Sequence, residues 1–217
     1  RRFPEKLMKP QQIAITLAAT TAVASVVTVA QSQTLALAKT AAQTERVENF
    51  QLPDQRSQGH ELFYYRNSPA VVIVSTTTGS KVIRAAAPAL RTLASDAARN
   101  RAPVFLLNSN PADTRQQIVG EMKSLGLDLP VLIDDTQIVG ESLGVTREAE
   151  AIVVNPRTWM IVYRGPLGQS FTGKGGKSGS ADYVAAAVQS LVEGQPVSIK
   201  AAKLETPEIA FPLRDNA

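Results

Sequence analysis

The sequence predicts an α/β domain with a central sheet between two outer layers, preceded by one N-terminal membrane helix. Three observations carry this. From residue 70 onward, short β-branched runs alternate with segments of helical periodicity, the pattern of strands and helices stacked around a sheet. Two apolar runs flanking the turn NPRT (155–158) add an antiparallel hairpin, so the sheet is mixed. Near the start, residues 13–30 (IAITLAATTAVASVVTVA) carry no charge and follow a basic flank. That length approaches the ~20 apolar residues that cross a bilayer.

The elements follow in order. Residues 70–75 (AVVIVS) read as a buried strand bounded by Pro69 and a Thr/Gly run. Residues 84–99 place Ala86, Leu90, Leu93 and Ala97 on one helical face, interrupted early by Pro88. Residues 103–108 (PVFLLN) form the next strand, and Asp113 is the expected cap of a helix that ends at Gly126. A short strand (130–133) and a short helix (137–143) precede the hairpin strands 151–155 and 159–163. The last helix spans 181–193 and stops at Gly194. This divides the chain into a basic flank (1–10), a transmembrane helix (11–38), a linker (39–49), the folded domain (50–200) and a C-terminal tail (201–217).

Composition narrows the chemistry. With 44% hydrophobic residues the chain can bury a core, and with no cysteine it cannot form disulfides, thiolate metal sites or iron–sulfur clusters. A single histidine, His60, leaves little for a transition-metal site or a Ser-His triad. The net charge of +4 traces largely to Arg1, Arg2, Lys6 and Lys9, and the rest is nearly neutral. A nucleic-acid partner requires a dense cationic face, which the domain lacks.

The basic flank, apolar run and Ala36-Leu37-Ala38 triplet also fit a cleavable signal peptide. Of the two, a retained anchor is the expectation. Ala18, Ala22 and Ser25 fall at helical spacing, and small residues let membrane helices approach closely, so this face is expected to pack against other transmembrane helices. The basic flank puts the N-terminus in the cytoplasm and the domain on the periplasmic or lumenal side.

Four segments, in order, resemble one family. FQLPDQRSQGHEL (50–62) is similar to the F-x-L-x-D opening of the redoxins, the alkyl hydroperoxide reductase/thiol-specific antioxidant family. VIVSTTTGSKVIRAAAPAL (72–90) resembles its active-site strand, loop and helix. PVLIDDTQIVGESLGVTREAEAIVVNPRTWMIVYRG (130–165) resembles its P-V-L-x-D…LGV-T-x-x-P…D-P…YRG stretch, and YVAAAVQSLVEGQPVSI (183–199) its closing helix. The resemblance implies a thioredoxin-like fold and a redox site at the start of the first long helix. It places the family's first cysteine on Ser80, its second on Ile83, and its cis-proline, which holds a peptide backbone beside the reactive sulfur, on Ala149. Thiol exchange requires a thiolate of lowered pKa, and neither a serine hydroxyl nor an isoleucine can form a disulfide. The chain therefore resembles a cysteine-less redoxin with a degenerate site. The double substitution Ser80→Cys with Ala149→Pro is expected to be tolerated, because both residues are native to that fold.

Other motifs read as structure. Ser80 is expected to serve as a helix N-cap, with no base nearby to make it a nucleophile. Lys81 at the same helix start could bind an anion. GKGGKSG (173–179) lacks the spacing of a phosphate loop and reads as a flexible loop. Asp134-Asp135 and Glu148/Glu150 read as solvated loop charges, without the oxygen-rich spacing of a calcium loop. Tyr64-Tyr65 and Trp159 read as packing residues. No metal and no cofactor is expected.

The expected function is that of a non-catalytic, membrane-anchored accessory subunit of a larger membrane complex, respiratory or photosynthetic. The alternatives are a free-standing peptide-binding or chaperone-like module, and a non-thiol enzyme at the former redox site. The purified protein should show no insulin-reductase or peroxidase activity above buffer. Turnover that is lost in Ser80→Ala would refute this.

Overall fold

The computed structural model describes residues 46–169 and 182–215. The expected anchor at 11–38 with Ala18, Ala22 and Ser25, the basic flank, and the glycine-rich stretch 173–179 lie outside the described residues. Among the described residues no helix is long and apolar enough to cross a membrane.

Chain order runs β1 (Gln51–Pro53), β2 (Gly59–Glu61), a 3-10 helix (Leu62–Asn67), β3 (Val71–Thr76), α1 (Lys81–Arg99), β4 (Val104–Asn108), α2 (Arg115–Leu125), β5 (Val131–Ile133), α3 (Ile138–Ser142), β6 (Ala151–Asn155), β7 (Met160–Gly165), α4 (Asp182–Val192) and α5 (Pro212–Asp215). β1 and β2 form a small antiparallel ribbon. The main sheet has the order β5-β4-β3-β6-β7. β3, β4 and β5 are parallel, while β6 pairs antiparallel with both β3 and β7, so the sheet is mixed as expected.

Every residue of β3 is buried, which is why it reads as a continuous β-branched run with no alternation. The period of two still sorts its side chains. Val72 and Val74, with Val104, Leu106, Ala151 and Val153, face the layer built from α1, α2 and α4. Val71 and Ile73, with Phe105, Leu107, Ile152 and Val154, face the other side. Among the described residues no long helix covers that second face. It is closed by Leu52 of the ribbon, Leu62 of the 3-10 helix, Val139 and Leu143 around α3, and Ile209 and Phe211 from the C-terminal segment.

Three expectations are corrected here. Helix α1 is continuous through Pro88, because its buried stripe (Ile83, Ala86, Ala87, Leu90, Leu93, Ala97) holds it on the sheet despite one missing hydrogen bond. The N-cap of α2 is Thr114, not Asp113: Thr114 Oγ1 accepts from Gln117 N and Gln117 Oε1 accepts from Thr114 N at 2.8 Å, a capping box. The domain also begins earlier than the expected linker allows. Val47 is buried, and its N–H donates to the Trp159 carbonyl at 2.8 Å.

Both sheet edges are blunted. At β5, the Gln55 side chain imitates a strand: its Nε2 donates to the Leu129 carbonyl at 2.9 Å and its Oε1 accepts from Val131 N at 2.7 Å. At β7, Arg46 bridges Met160 at one end and Ala201 bridges Arg164 at the other. These contacts occupy groups that would otherwise template pairing with another chain.

Phe211 is 5% exposed and Leu213 is 50% exposed, only two residues on. Phe211→Ala should therefore cost about 3–5 kcal/mol in chemical denaturation. Leu213→Ala should stay within about 0.5 kcal/mol. Equal small effects would show that the C-terminal segment is not part of the core.

Candidate functional site

The loop 77–80 leaves the C-terminal end of β3 and delivers Ser80 to the N-terminus of α1. Gly79 turns it with φ +84, a left-handed conformation that an L side chain resists. Ser80 is 4% exposed and caps the helix, its Oγ accepting from Ile83 N at 3.2 Å. The same hydroxyl donates to Glu148 Oε2 at 2.7 Å. Glu148 Oε1 accepts from Thr77 Oγ1 at 2.6 Å. Two further carboxylates hold the loop: Thr78 N donates to Asp113 Oδ2 at 2.6 Å and Gly79 N to Glu121 Oε1 at 2.9 Å. Ile83 is fully buried in the helix-side core.

This arrangement disposes of the anion reading for Lys81. Ile83 N is already engaged by Ser80 Oγ, the loop amides of Thr78 and Gly79 are engaged by Asp113 and Glu121, and Glu148 adds a third carboxylate beside the helix start. The strain registers in Glu121. Burial raises its carboxyl above the ordinary value; the Gly79 amide and Arg84 pull it down, and Asp113 and Glu148 push it up again.

Ala149 lies opposite, on the segment that returns to β6. It is fully buried, and no described peptide bond is cis. Its φ of +56 is left-handed, and its N–H donates to the Ser75 carbonyl at 2.9 Å. Ser75, the penultimate residue of β3, also clasps the loop with its side chain. Its Oγ donates to the Arg147 carbonyl and accepts from Glu150 N at 2.9 Å. Proline has no N–H and a φ fixed near −65°, so it cannot occupy this backbone. The expectation that Ala149→Pro is tolerated is overturned.

The residues just before Ala149 are paired with the chain's own C-terminal segment. Arg147 and Glu208 form an antiparallel bridge. Glu148 N donates to the Pro207 carbonyl and Ile209 N to the Thr146 carbonyl, each at 2.9 Å. Thr206, 2% exposed, donates from Oγ1 to the Glu148 carbonyl at 2.6 Å. Arg147 adds Nη1 to the Thr206 carbonyl at 2.6 Å and an ion pair with Glu208 at 2.9 Å. Both backbone groups of Glu148 are consumed. Further on, Gln137 Nε2 donates to the Ala210 carbonyl at 2.9 Å and its Oε1 accepts from Leu213 N at 3.1 Å.

The structure thus brings Ser80 together with Glu148 and sets both near the strand end that clasps Ala149. It gives His60 to other partners, Asp54 and Tyr65. The expectation of solvated loop charges fails for three carboxylates, the first being Glu148, whose two oxygens are taken by Thr77 and Ser80. Asp134 is fully buried and caps α3, accepting from Ser109 Oγ and Gly140 N, each at 2.7 Å. A Cβ at Gly140 would lie 2.4 Å from Ser109 Oγ, so the close approach requires glycine. Glu150, 6% exposed, accepts from Thr146 N at 3.0 Å and pairs with Arg164 at 3.0 Å. Tyr64, expected to pack, is 71% exposed, whereas Trp159 stacks on Phe63 with ring centroids 4.2 Å apart. Among the described residues no cluster of three or more His, Cys, Asp or Glu side chains could hold a metal ion.

A model of the AhpC/TSA family matches residues 44–169. The chain belongs to the AhpC/TSA family, with neither of that family's cysteines. Its C-terminal segment lies beyond the matched residues. No curated protein matches the chain in sequence. Among solved structures it is similar to a hypothetical protein from Sinorhizobium meliloti 1021 (24% identity, 76% of this chain and 91% of that one, TM-score 0.66). It is similar too to an uncharacterized conserved protein from Geobacillus kaustophilus (22% identity, 77% and 91%, TM-score 0.67). A third is the peroxidoxin BcpB of Mycobacterium tuberculosis (18% identity, 70% and 96%, TM-score 0.52). At these identities the likeness establishes the thioredoxin-like fold.

A thiol restored at position 80 would face the Glu148 carboxylate, which disfavours a thiolate. Ser80→Cys should fold normally and react with iodoacetamide at pH 7.5 more slowly than free cysteine. Adding Glu148→Gln should accelerate it, by about tenfold for each unit by which the thiol pKa falls. Ala149→Pro should lower the denaturation midpoint sharply where Ser80→Cys does not. A fast-reacting Cys at 80 with Glu148 intact would refute the electrostatic argument.

Proposed function

We propose that this chain is a non-catalytic, membrane-anchored accessory subunit, its helix at 11–38 packed in a larger membrane complex and its thioredoxin-like domain on the extracytoplasmic side. One observation carries the reading: the groups that a redox member of the family would present to a substrate are spent inside the molecule. The Ser80 hydroxyl is bonded at both ends of its capacity, to Ile83 N and Glu148. The backbone of Glu148 is held by Pro207 and Thr206. A peptide-binding module would need those backbone groups free, so the same observation weighs against that alternative. A hydroxyl enzyme at Ser80 would need its nucleophile open to a substrate, whereas Ser80 is 4% exposed and the Glu148 carboxylate that could serve as its base is shared with Thr77.

A domain that neither exchanges thiols nor holds a substrate strand retains what its surface and its anchor can do, which is to bind neighbours. The small residues Ala18, Ala22 and Ser25 on one face of the anchor support packing against other membrane helices. The basic flank supports a cytoplasmic N-terminus.

Extraction in mild detergent followed by native electrophoresis and mass spectrometry tests the proposal. The chain should migrate in a discrete high-mass complex. Ala18→Leu with Ala22→Leu should keep membrane insertion while stripping the chain from that complex, because overpacking costs about 1–3 kcal/mol. Substitutions at Val23 and Val27 should do much less. A lone monomer, or equal retention of all variants, would refute packing through this face.

A further inference from the structure

A second constellation of titratable groups sits at the other pole of the domain, where β3 and β4 begin. Asp54 is 1% exposed, and its Oδ1 accepts from Arg56 N at 2.8 Å and Gln58 N at 2.9 Å. Its Oδ2 lies 3.1 Å from His60 Nε2, and His60 Nδ1 lies 2.9 Å from the Tyr65 hydroxyl. Phe105 meets both the His60 and Tyr65 rings edge-on, with centroids 5.2 Å away in each case, and fixes their orientation.

The protons follow from the partners. Burial alone would raise the Asp54 carboxyl, but the amides of Gln58 and Arg56 and the His60 ring hold it below the ordinary value. An ionised Asp54 can only accept, so a neutral His60 must carry its proton on Nε2 and accept at Nδ1. Burial and the charge on Asp54 hold the Tyr65 pKa above that of an ordinary phenol, so at neutral pH the hydroxyl keeps its proton and donates it to His60. This is the carboxylate–imidazole–hydroxyl order in which an imidazole can take a proton while the carboxylate steadies the resulting cation.

Tyr65 also lines a cavity of about 410 Å³. Ala94, Ala98, Pro103 and Leu129 line it together with the charged Arg101 and Asp128, and the alanines leave room for a short aliphatic or aryl group. The volume falls within the range of small-molecule sites.

We propose that Tyr65 is a base-assisted acyl acceptor and that the cavity takes a small activated ester with an apolar acyl group. The Tyr65 oxygen bonds to the carbonyl carbon as the ester C–O bond breaks. The phenol proton passes to His60 Nδ1 and on to the departing oxygen, with no change of oxidation state. Asp54 positions the imidazole and stabilises its transient charge. The site lies away from loop 77–80 and stands apart from the subunit role, so either can fail without the other.

Tyr64 supplies an internal standard, since it is the preceding residue and 71% exposed. The full chain is treated with p-nitrophenyl acetate at pH 8 and the acetylated sites are ranked by tandem mass spectrometry. Tyr65 should label at least about tenfold faster than Tyr64 despite its burial, a modest fraction of what general-base assistance supplies. His60→Gln should bring Tyr65 down to the Tyr64 rate or below. If the three groups merely staple the ribbon to the 3-10 helix, removing His60 frees Tyr65 and its labelling holds or rises, which overturns the proposal. Tyr64 labelling as fast as Tyr65 in the unaltered chain overturns it as well, and that ratio decides even if His60→Gln does not fold.

Discussion

A sheet with two apolar faces requires two covers, and among the described residues long helices lie on only one of them. Helices α1, α2 and α4 lie on the face of Val72 and Val74. The face of Val71 and Ile73 is left to a two-stranded ribbon, a 3-10 helix, the short α3 and the C-terminal segment. To deliver Ile209 and Phe211 to that face, the segment crosses the turn before Ala149 and pairs with it on the way. Hydrophobic burial at its far end thus holds an extended chain against Thr146, Arg147 and Glu148. Water would otherwise satisfy those backbone groups, and a partner strand could replace it there.

Glu148 couples this packing to the former redox loop. Its backbone belongs to the C-terminal segment and its carboxylate to Thr77 and Ser80. Together with Asp113 and Glu121 it surrounds the head of α1 with negative charge. In a redox protein the N-terminal dipole of that helix would favour a thiolate. Here the dipole and the loop amides are satisfied by fixed carboxylates, so the loss of cysteine is matched by an electrostatic setting in which a thiolate would be unwelcome. The left-handed, trans Ala149 completes the change, since a backbone shaped by its hydrogen bond to Ser75 no longer has a place for proline.

The two poles of the domain therefore differ in kind. At the C-terminal ends of the parallel strands, hydroxyls, amides and carboxylates are used up holding the chain to itself. At the N-terminal ends, Asp54 and His60 are lined up behind the hydroxyl of Tyr65, a residue that lines a cavity. Residues that satisfy one another's hydrogen bonds rigidify a fold, and a relay that ends at a cavity wall retains one group with chemistry to offer.

Much of the fold was legible in the sequence because its signals are local. Continuous β-branched runs mark strands buried on both faces, the NPRT turn marks the hairpin, and the apolar spacing in α1 marks its core stripe. Cysteine content is legible in the same direct way, and it alone determined that thiol chemistry is impossible. Ser80 as an N-cap also followed from its place at the head of a helix. What tertiary structure decided lies in pairings between residues far apart in sequence. Glu148 reads as one more loop carboxylate until Ser80, 68 residues earlier, is folded against it. Asp113 looks like a cap because aspartate is among the favoured N-cap residues, but Thr114 and Gln117 close the capping box and leave Asp113 to the Thr78 amide. The C-terminal segment carries no periodicity to announce a strand, since its burial is created by an uncovered sheet face that exists only once the chain has folded. Local pattern records which residues must be inside; which of them meet, and so which groups remain free for chemistry, is settled only by the packing that brings them there.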